Sequence, residues 1–583
     1  MNLKTADLTA KAVPSLVLAL AACGAWAQAT APTGGELYRQ LQGNQPAVVP
    51  DKGASPVPQA GAVDESTPRL SSNGQRLPVR AIRFEGNTSI STEELASVIP
   101  PLPPEGITAD ELNTLADKVS RHYRIQGYPL ARALLAAQTS SDGSVTLTIV
   151  EGRFGRVELD ESGTRLRPGV AQRVLDANLC AAGAPCEGQP ITDKGLQRAT
   201  LLLSDLPGVQ ADAAFRRGTT FGTADLGVKL TPGQRYVLRL GADNYGSQVT
   251  GEWRGSTSLT VNEPFGIGDQ FDASLIGSGS KLWNGSAAYS ALVTGSGLRA
   301  GLSASHTQYT LGDVFAALDA HGTADVASAQ LTYPLVRSLN ANLSLGLAYN
   351  HKQLRDYIGI YGSRATGQIE GTVVSFQGDW IDGLLGGGYG KFSLSFTNGR
   401  LSGLDTISRA ADQNPLNGLK TAGDFSKFNY LLERQQNLAG AFTLYGSVSG
   451  QSASKNLASA ERYYLGGPTG VRAYPIGEGS GDTGTVATLE LRHTSPARFA
   501  GNNAVLSYGL FYDHGWVRRN QRPLASATTP NQDDFGGAGL RVGLGKPGAY
   551  SVDLVWAQQT GSHRSLVEPG KRDRFWLQAA FQY

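Results

Sequence analysis

Apolar and polar residues alternate along much of the chain from residue 235 to the C-terminus. Between Leu339 and Tyr349 every odd position is apolar, and every even position is small or polar. The same alternation recurs in segments that begin at Tyr236, Ala504 and Val552. A period of two is typical of a strand whose two faces lie in different surroundings. The pattern therefore predicts that residues 235–583 form β-structure.

These segments fit a transmembrane β-barrel, whose strands face lipid on one side and a wet interior on the other. Turn-forming residues separate them, and at about 20 to 25 residues per strand and connection the region holds about 14 to 17 strands. We predict a mainly β fold with sixteen antiparallel strands, the even number in that range. A large soluble β-sandwich or propeller array would alternate in the same way, but it would not explain aromatic strand ends beside polar interior faces.

Residues 79–232 show a different pattern, which mixes strands and helices and occurs twice. The first unit, 79–153, opens with a strand at Val79–Phe84, has a helix capped by Ser91 and Glu94, and has a longer amphipathic helix after Thr108. The second unit, 154–232, repeats the order strand, two helices, two strands. We expect two small α+β modules before the barrel.

The N-terminus predicts export from the cytoplasm. Basic residues precede an apolar run from Val13 to Ala22, and Ala25-Trp26-Ala27 follows, so residues 1–27 have the layout of a signal peptide. A lipoprotein signal is the alternative, and it would leave Cys23 lipidated at the mature N-terminus. Residues 28–78 read as a Pro-rich linker with one short helix at 36–42.

Composition narrows the classes of protein further. The 583 residues include 73 Gly, and charged residues make up 17% against roughly 25% in ordinary soluble domains. The net charge of +2 gives no reason to expect a nucleic-acid partner. After the signal region no stretch of 18 apolar residues occurs, which excludes a helical membrane protein.

Two cysteines remain once Cys23 is set aside, and they are Cys180 and Cys186. In an exported protein this spacing favours a disulfide across a small loop. A metal site is the alternative, but the segment has no nearby His or second Cys pair.

Signals for an enzyme are weak. The segment Gly479–Gly484 fits a dinucleotide fingerprint in spacing, but no helix is expected after it. No Gly-x-Ser-x-Gly motif occurs, and the seven His residues are scattered without metal-ligand spacing. We therefore expect no catalytic site, no metal and no cofactor.

The alternation places two carboxylates on interior faces of the barrel. Glu490 lies on the polar side of one strand with Thr488 and Arg492, and Asp513 lies on the interior side of another with Phe511. His514 is expected to face outward. A loop Arg reaching the interior would bind such carboxylates through paired charge-assisted hydrogen bonds.

Six short segments carry recognisable motifs. In chain order they are 82–88, 149–152, 243–251, 262–269, 465–475 and 511–515. They resemble motifs of the two-partner secretion transporters, the ShlB/FhaC family. The first two are similar to the opening and closing strands of POTRA domains, and the next two to the first barrel hairpin. The fifth resembles the Val-Arg-Gly-Tyr motif of the sixth extracellular loop, and the last resembles the Phe-x-Asp-x-Gly strand motif.

The resemblance implies roles for residues of the last two motifs. Arg472 would be the loop guanidinium, bound by Asp513 and also by Glu490, so that the loop tip is held inside the barrel. The alternative is that Arg472 is an ordinary exposed loop residue. Ala473 stands where the family has Gly, and it would be strained if the loop needs positive φ there. The remaining motif residues are Val471, Tyr474, Phe511 and Gly515.

The resemblance also implies a function. The chain would be an outer-membrane pore that exports one large unfolded exoprotein, with POTRA domains 79–153 and 154–232 in the periplasm capturing the secretion domain of that partner. The helix at 36–42 would plug the resting pore. The final strand, which ends in Phe581 and Tyr583, resembles the signal read by the barrel assembly machinery. The alternatives are an outer-membrane barrel assembly factor, which usually has three or more POTRA modules, and a passive porin, which has none.

Overall fold

The computed structural model describes residues 31–42, 57, 74–135, 143–279 and 281–583. The predicted signal peptide, with Cys23, and most of the predicted linker lie outside these residues. The first described element is helix α1, Gly34–Gln42, which includes the helix predicted at 36–42. No helix in the described ranges is long and apolar enough to cross a membrane.

The first module is a three-stranded sheet covered by two helices. The central strand of the sheet, Ser144–Val150, pairs in parallel with Ala81–Glu85 on one side and antiparallel with the edge strand Arg132–Leu134 on the other. Ser91 caps the first helix as predicted, while a full capping box at Thr108 and Glu111 starts the longer one. Its elements are β1 (Arg76–Leu77), β2 (Ala81–Glu85), α2 (Thr92–Val98), β3 (Ile107–Thr108), α3 (Ala109–Ile125), β4 (Arg132–Leu134) and β5 (Ser144–Val150).

The second module repeats this topology. Its elements are β6 (Arg153–Asp160), α4 (Val170–Leu179), α5 (Asp193–Ser204), β7 (Val209–Arg217) and β8 (Thr223–Pro232). The sheet order is β6-β8-β7, again with one parallel pair and an antiparallel edge strand. Each module has its own buried apolar cluster, as expected for two units that each bury the faces of their own helices.

Sixteen antiparallel strands form a closed barrel, in which the last strand, Asp573–Gln582, pairs with the first, Tyr236–Asp243, and this confirms the predicted fold class. A long loop, residues 454–482, joins β19 to β22 and contains the short hairpin β20 (Tyr463–Tyr464) and β21 (Ser480–Gly481). Helix α6 (Thr406–Asp412) lies between β17 and β18. The barrel strands are β9 (Tyr236–Asp243), β10 (Arg254–Asn262), β11 (Gln270–Ser278), β12 (Leu282–Leu292), β13 (Arg299–Thr310), β14 (Ala320–Arg337), β15 (Ala341–Ile358), β16 (Ser363–Asp382), β17 (Gly388–Ser402), β18 (Gly423–Asn437), β19 (Phe442–Ala453), β22 (Thr483–Pro496), β23 (Val505–Arg518), β24 (Gln532–Lys546), β25 (Tyr550–Gln559) and β26 (Asp573–Gln582).

The alternating pattern separates the two faces of the barrel wall. On β22, Leu489 is 55% exposed on the outer face, whereas Glu490 beside it is 1% exposed and points inward. On β23, Tyr512 and His514 face outward and Asp513 is buried inside. An apolar outer face and a polar inner face are what a barrel in lipid requires.

The second module is docked on one rim of the barrel, which we call the near rim. Asp205 accepts two hydrogen bonds of 2.7 Å from the guanidinium of Arg337, at the end of β14. The Arg167 N–H donates to the carbonyl of Gly266, in the turn between β10 and β11, at 2.7 Å. These contacts set the modules below the barrel mouth, opposite the far rim from which the long loop enters.

Candidate functional site: the loop and helix inside the barrel

The tip of the long loop packs against the inner wall through its own apolar side chains. Leu465, Val471 and Tyr474 are fully buried and share one cluster with Phe535 and Trp576 of the wall. The tip thus has a hydrophobic core of its own, which holds it inside the barrel rather than in solvent.

Glycines allow the tight turn that this packing needs. At Gly470 an added Cβ would lie 1.9 Å from the carbonyl oxygen of Leu465, and Gly467 has a φ of +123°. A side chain at either position would open the turn.

The Arg472 guanidinium binds both predicted carboxylates. Its Nε and Nη2 donate to the two oxygens of Asp513, each at 2.9 Å, and its Nη1 donates to Glu490 at 2.8 Å. The backbone N–H of Arg472 also donates to Asp513, at 3.0 Å. The predicted partners are therefore brought together, with paired geometry that a Lys ammonium does not reproduce.

Further groups compensate the charges at this site. Thr488 donates to Asp513 at 2.8 Å, and Arg492 donates to Glu490 at 2.8 Å. The ring of Phe511 lies under the Arg472 guanidinium, 3.3 Å from ring centroid to Cζ. Burial of charge is costly, and it is tolerated here because each carboxylate accepts several charge-assisted bonds.

Ala473 does not have positive φ, since it is not among the non-Gly residues with positive φ in the described part of the chain. The strain that positive φ would cause at this position therefore does not arise. The Ala473 side chain instead faces Gly537 of β24, where an added Cβ would lie 2.7 Å from the Cβ of Ala473. In the same way, a Cβ at Gly515 would lie 2.7 Å from Val471, so the glycine of the strand motif leaves room for the loop.

Sequence reasoning missed Trp576, the inward residue of the final strand. Its indole N–H donates to the carbonyl of Arg472 at 2.8 Å, and its ring meets Tyr245 edge to face. The alternation of β26 predicts that Trp576 points inward, but not what it contacts. The outward residues Phe581 and Tyr583 are exposed, so their predicted role in assembly stays a prediction.

Glu478 anchors the long loop at a second place, which the sequence did not indicate. Its buried carboxylate accepts bonds from the hydroxyl of Ser565 at 2.7 Å and from the N–H groups of Leu566 at 3.0 Å and Val567 at 3.1 Å, all in the far-rim loop 560–572. His563 lies 3.3 Å away. Burial opposes ionisation, but these donors outweigh it and lower the pKa of Glu478.

Helix α1 lies inside the barrel against β13, β14 and β15. Leu37, Tyr38 and Leu41 are buried there among inward-facing wall residues. The helix also meets the start of the long loop, since a Cβ on Gly35 would lie 2.7 Å from the Cβ of Ala460. The helix and the loop therefore share one interface inside the lumen.

Charged groups surround this interface. Glu461 of the loop pairs with Lys352 at 2.5 Å and with Lys427 at 2.7 Å. On the helix, burial raises the pKa of Glu36 to about 7, although Arg462 opposes this shift. Docking of the helix thus removes water from the Glu36 carboxylate, and the charge of Arg462 compensates this loss only in part.

Cys180 and Cys186 form the disulfide that the sequence favoured. Asp176 lies beside them, and together they are the group of potential metal ligands that the described residues contain. Since both sulfurs are engaged in the bond, they offer no thiolate to a metal.

Comparisons with known proteins agree with this architecture. Residues 222–543 match the family described as haemolysin secretion/activation protein ShlB/FhaC/HecB, and residues 77–152 match the ShlB-type POTRA domain. The heme/hemopexin transporter protein HuxB of Haemophilus influenzae is 26% identical, over 86% of each chain. The outer membrane transporter CdiB of Dickeya dadantii is 22% identical, over 72% of each chain.

A solved structure has the same fold. CdiB from Escherichia coli aligns with a TM-score of 0.70 at 18% identity, covering 90% of this chain and 94% of that one. With the family match covering more than half of the chain, the protein belongs to the ShlB/FhaC/HecB family of haemolysin secretion/activation proteins, the outer-membrane transporters of two-partner secretion.

Proposed function

We propose that helix α1 and the long loop together close the resting barrel, and that the two modules deliver an unfolded exoprotein to it. The family consists of non-enzymatic outer-membrane translocation pores with a secreted exoprotein partner, and their POTRA region lies in the periplasm. The near rim is therefore periplasmic and the far rim extracellular. This function replaces the assembly-factor and porin alternatives.

The observation that carries the proposal is the meeting of two chain segments inside the lumen. One enters from the N-terminus and the other from the extracellular rim, and they touch at Gly35 and Ala460. Residues buried at such an interface prevent passage of a polypeptide until at least one segment moves. We infer that cargo arrival displaces helix α1 first, because it is held by fewer charge-assisted bonds than the loop.

We propose that the cargo binds by adding a strand to a module edge. The second module, which we assign as a POTRA domain, presents β7 at the edge of its sheet, paired to β8 on one side. The edge strand of the first module, β4, is the other candidate, but it has only three residues, whereas β7 has nine and offers a longer edge. Main-chain hydrogen bonds to an edge need no particular cargo sequence, which suits an unfolded exoprotein.

The cargo itself is proposed to be a large secreted protein of the haemolysin or adhesin type. The names of the relatives refer to heme/hemopexin transport in one case and to haemolysin transport in another. A long secreted β-helical protein encoded beside this gene is the expected partner. Its release into the medium on co-expression tests the export function directly.

Conductance across a planar bilayer tests the closure by helix α1. We expect the full mature chain to be mostly closed and a variant lacking residues 28–45 to form a large steady pore. The matched control removes an equal length of linker, residues 56–73. Equal conductance with and without residues 28–45 would show that the helix does not close the pore.

A further inference from the structure

Glu151, which follows the last strand of the first module, is a buried carboxylate with an unusual number of donors. Its side chain is 1% exposed. One oxygen accepts the backbone N–H groups of Thr88 at 2.7 Å and Ser89 at 2.6 Å, and also the hydroxyl of Tyr123 at 3.2 Å. The other oxygen accepts the hydroxyl of Ser89 at 3.0 Å. Glu151 thus ties the closing strand of the module to the turn after its first strand.

Arg153 extends this tie into the second module. One of its terminal nitrogens lies 3.2 Å from Glu151 and 2.6 Å from the Thr88 hydroxyl, and the other donates to the carbonyl of Gly188 at 2.7 Å. A single guanidinium therefore bridges the turn of the first module and a loop of the second. Its planar fork holds both partners in a fixed direction.

The backbone at the junction is also closely packed. The Ile191 N–H donates to the carbonyl of Gly152 at 3.0 Å, and the Asp193 N–H donates to that of Gly127 at 2.9 Å. A Cβ on Gly152 would lie 2.7 Å from the Cβ of Leu130, whose side chain packs on the core of the second module. The two modules meet through groups that leave little room for rotation.

The disulfide lies next to the loop of the second module that Arg153 contacts. Gly188 lies two residues after Cys186, which is bonded to Cys180 at the end of α4. The preceding helical turn reaches the barrel, because Asn178 donates to the carbonyl of Gly295 at 3.0 Å. Bonded groups thus run without a break from the Thr88 turn to the barrel rim.

We propose that Glu151 and Arg153 are positioning residues that pin the first module to the second, and that the Cys180–Cys186 disulfide braces the pin. The pin fixes the direction in which the first module projects from the barrel. This inference rests on the proposed role of the modules in cargo delivery, since a fixed direction matters only if cargo passes along them.

Distance measurements between spin labels test the pin in the full-length transporter. Labels at Glu93→Cys on α2 and Asp212→Cys on β7 report the orientation of the two modules, and both sites are exposed. We expect one narrow distance distribution in the parent protein. Arg153→Ala should raise the population of other orientations by about tenfold, the low end of what a charge-assisted hydrogen bond contributes.

The control is Arg156→Ala, an exposed Arg on the same strand, which should leave the distribution narrow. Glu151→Gln should broaden it as well, but it also disturbs the first module, so Arg153→Ala is the decisive variant. Cys180→Ser with Cys186→Ser should broaden it less than Arg153→Ala. A narrow distribution in Arg153→Ala would overturn the pin.

Secretion assays separate this inference from the function on which it rests. We expect Arg153→Ala to reduce cargo release while the conductance of the inserted barrel is unchanged. If the distances broaden and release stays normal, the pin stands and the proposed delivery by the first module fails.

Discussion

Ala473 and Gly537 face each other across the contact between the long loop and β24, and their sizes are matched. Because a Cβ on Gly537 would lie 2.7 Å from that of Ala473, Gly537→Ala should push the loop tip away from the wall. We expect a loss of about 1 to 3 kcal/mol in loop docking, as for other overpacked cores. Limited proteolysis of the long loop in intact cells measures this change.

The double variant Gly537→Ala with Ala473→Gly should restore protection, because it moves the same methyl group across the interface. Gly446→Ala on β19 is the control, since an added Cβ there meets nothing within 4 Å. Equal cleavage of the single and double variants would contradict the proposed fit.

Arg472 is held by geometry as well as by charge, which makes substitution by Lys informative. Removal of one partner of a buried ion pair costs about 3 to 5 kcal/mol, since the remaining carboxylates stay desolvated. We expect Arg472→Ala and Arg472→Lys to insert as folded barrels and to release little cargo, because a loop tip that is no longer fixed to the wall would block the lumen even after helix α1 has left it. Heat-modifiable migration on gels reports the fold, and cargo in the medium reports release.

Arg400→Ala provides the comparison. Arg400 also binds a carboxylate, that of Asp424, through two hydrogen bonds, but both of these side chains are exposed. Exposed pairs contribute little, so release should be normal. Normal release by Arg472→Ala would show that the loop lock is not needed for export.

Docking of helix α1 depends on pH through Glu36. Burial in the docked helix raises the pKa of Glu36 to about 7 from the ordinary 4.5 of a hydrated Glu, so docking binds a proton. Docking is therefore strongest below about pH 4.5 and weakens as pH rises through 7. We expect the open probability of the reconstituted pore to increase from pH 5 to pH 8.

Gln40 donates a hydrogen bond of 3.3 Å to the Glu36 carboxylate. Glu36→Gln should remove the pH dependence, because the amide does not titrate and its oxygen can still accept this bond. Arg462 is the charged group that acts on Glu36, and it opposes the rise in the Glu36 pKa. A pH dependence that persists in Glu36→Gln would assign the effect to another group.

Strands and helices could be predicted from the sequence where each of their faces lies in a single environment, because apolar and polar residues then follow the period of the element. Leu489 and Glu490 alternate because lipid and lumen lie on opposite sides of β22, and the helix at 36–42 has its own apolar stripe. The partners of Glu478 and Trp576 were not predictable, since they depend on contacts between segments about 90 to 100 residues apart in sequence. The pairing of Arg472 with Asp513 could be predicted because two signals agree: both residues belong to motifs of the family, and the strand alternation places Asp513 on the interior face.

The second module contacts the rim of the barrel through closely packed backbone. A Cβ on Gly295, in the turn between β12 and β13, would lie 2.0 Å from the carbonyl oxygen of Arg173 in α4. Backbone cannot move aside cheaply, so Gly295→Ala should loosen the module from the rim without disturbing the wall.

We expect Gly295→Ala to keep a closed barrel and normal conductance but to lose most cargo release, because captured cargo would no longer be presented to the mouth. Gly255→Ala is the matched control, since its Cβ would enter open space. Cross-linking of Asp205→Cys to Arg337→Cys, where the two wild-type side chains pair, measures docking independently of secretion. Weaker cross-linking with unchanged release would mean that delivery does not require a docked module, and the cargo path would then have to begin at the barrel mouth itself.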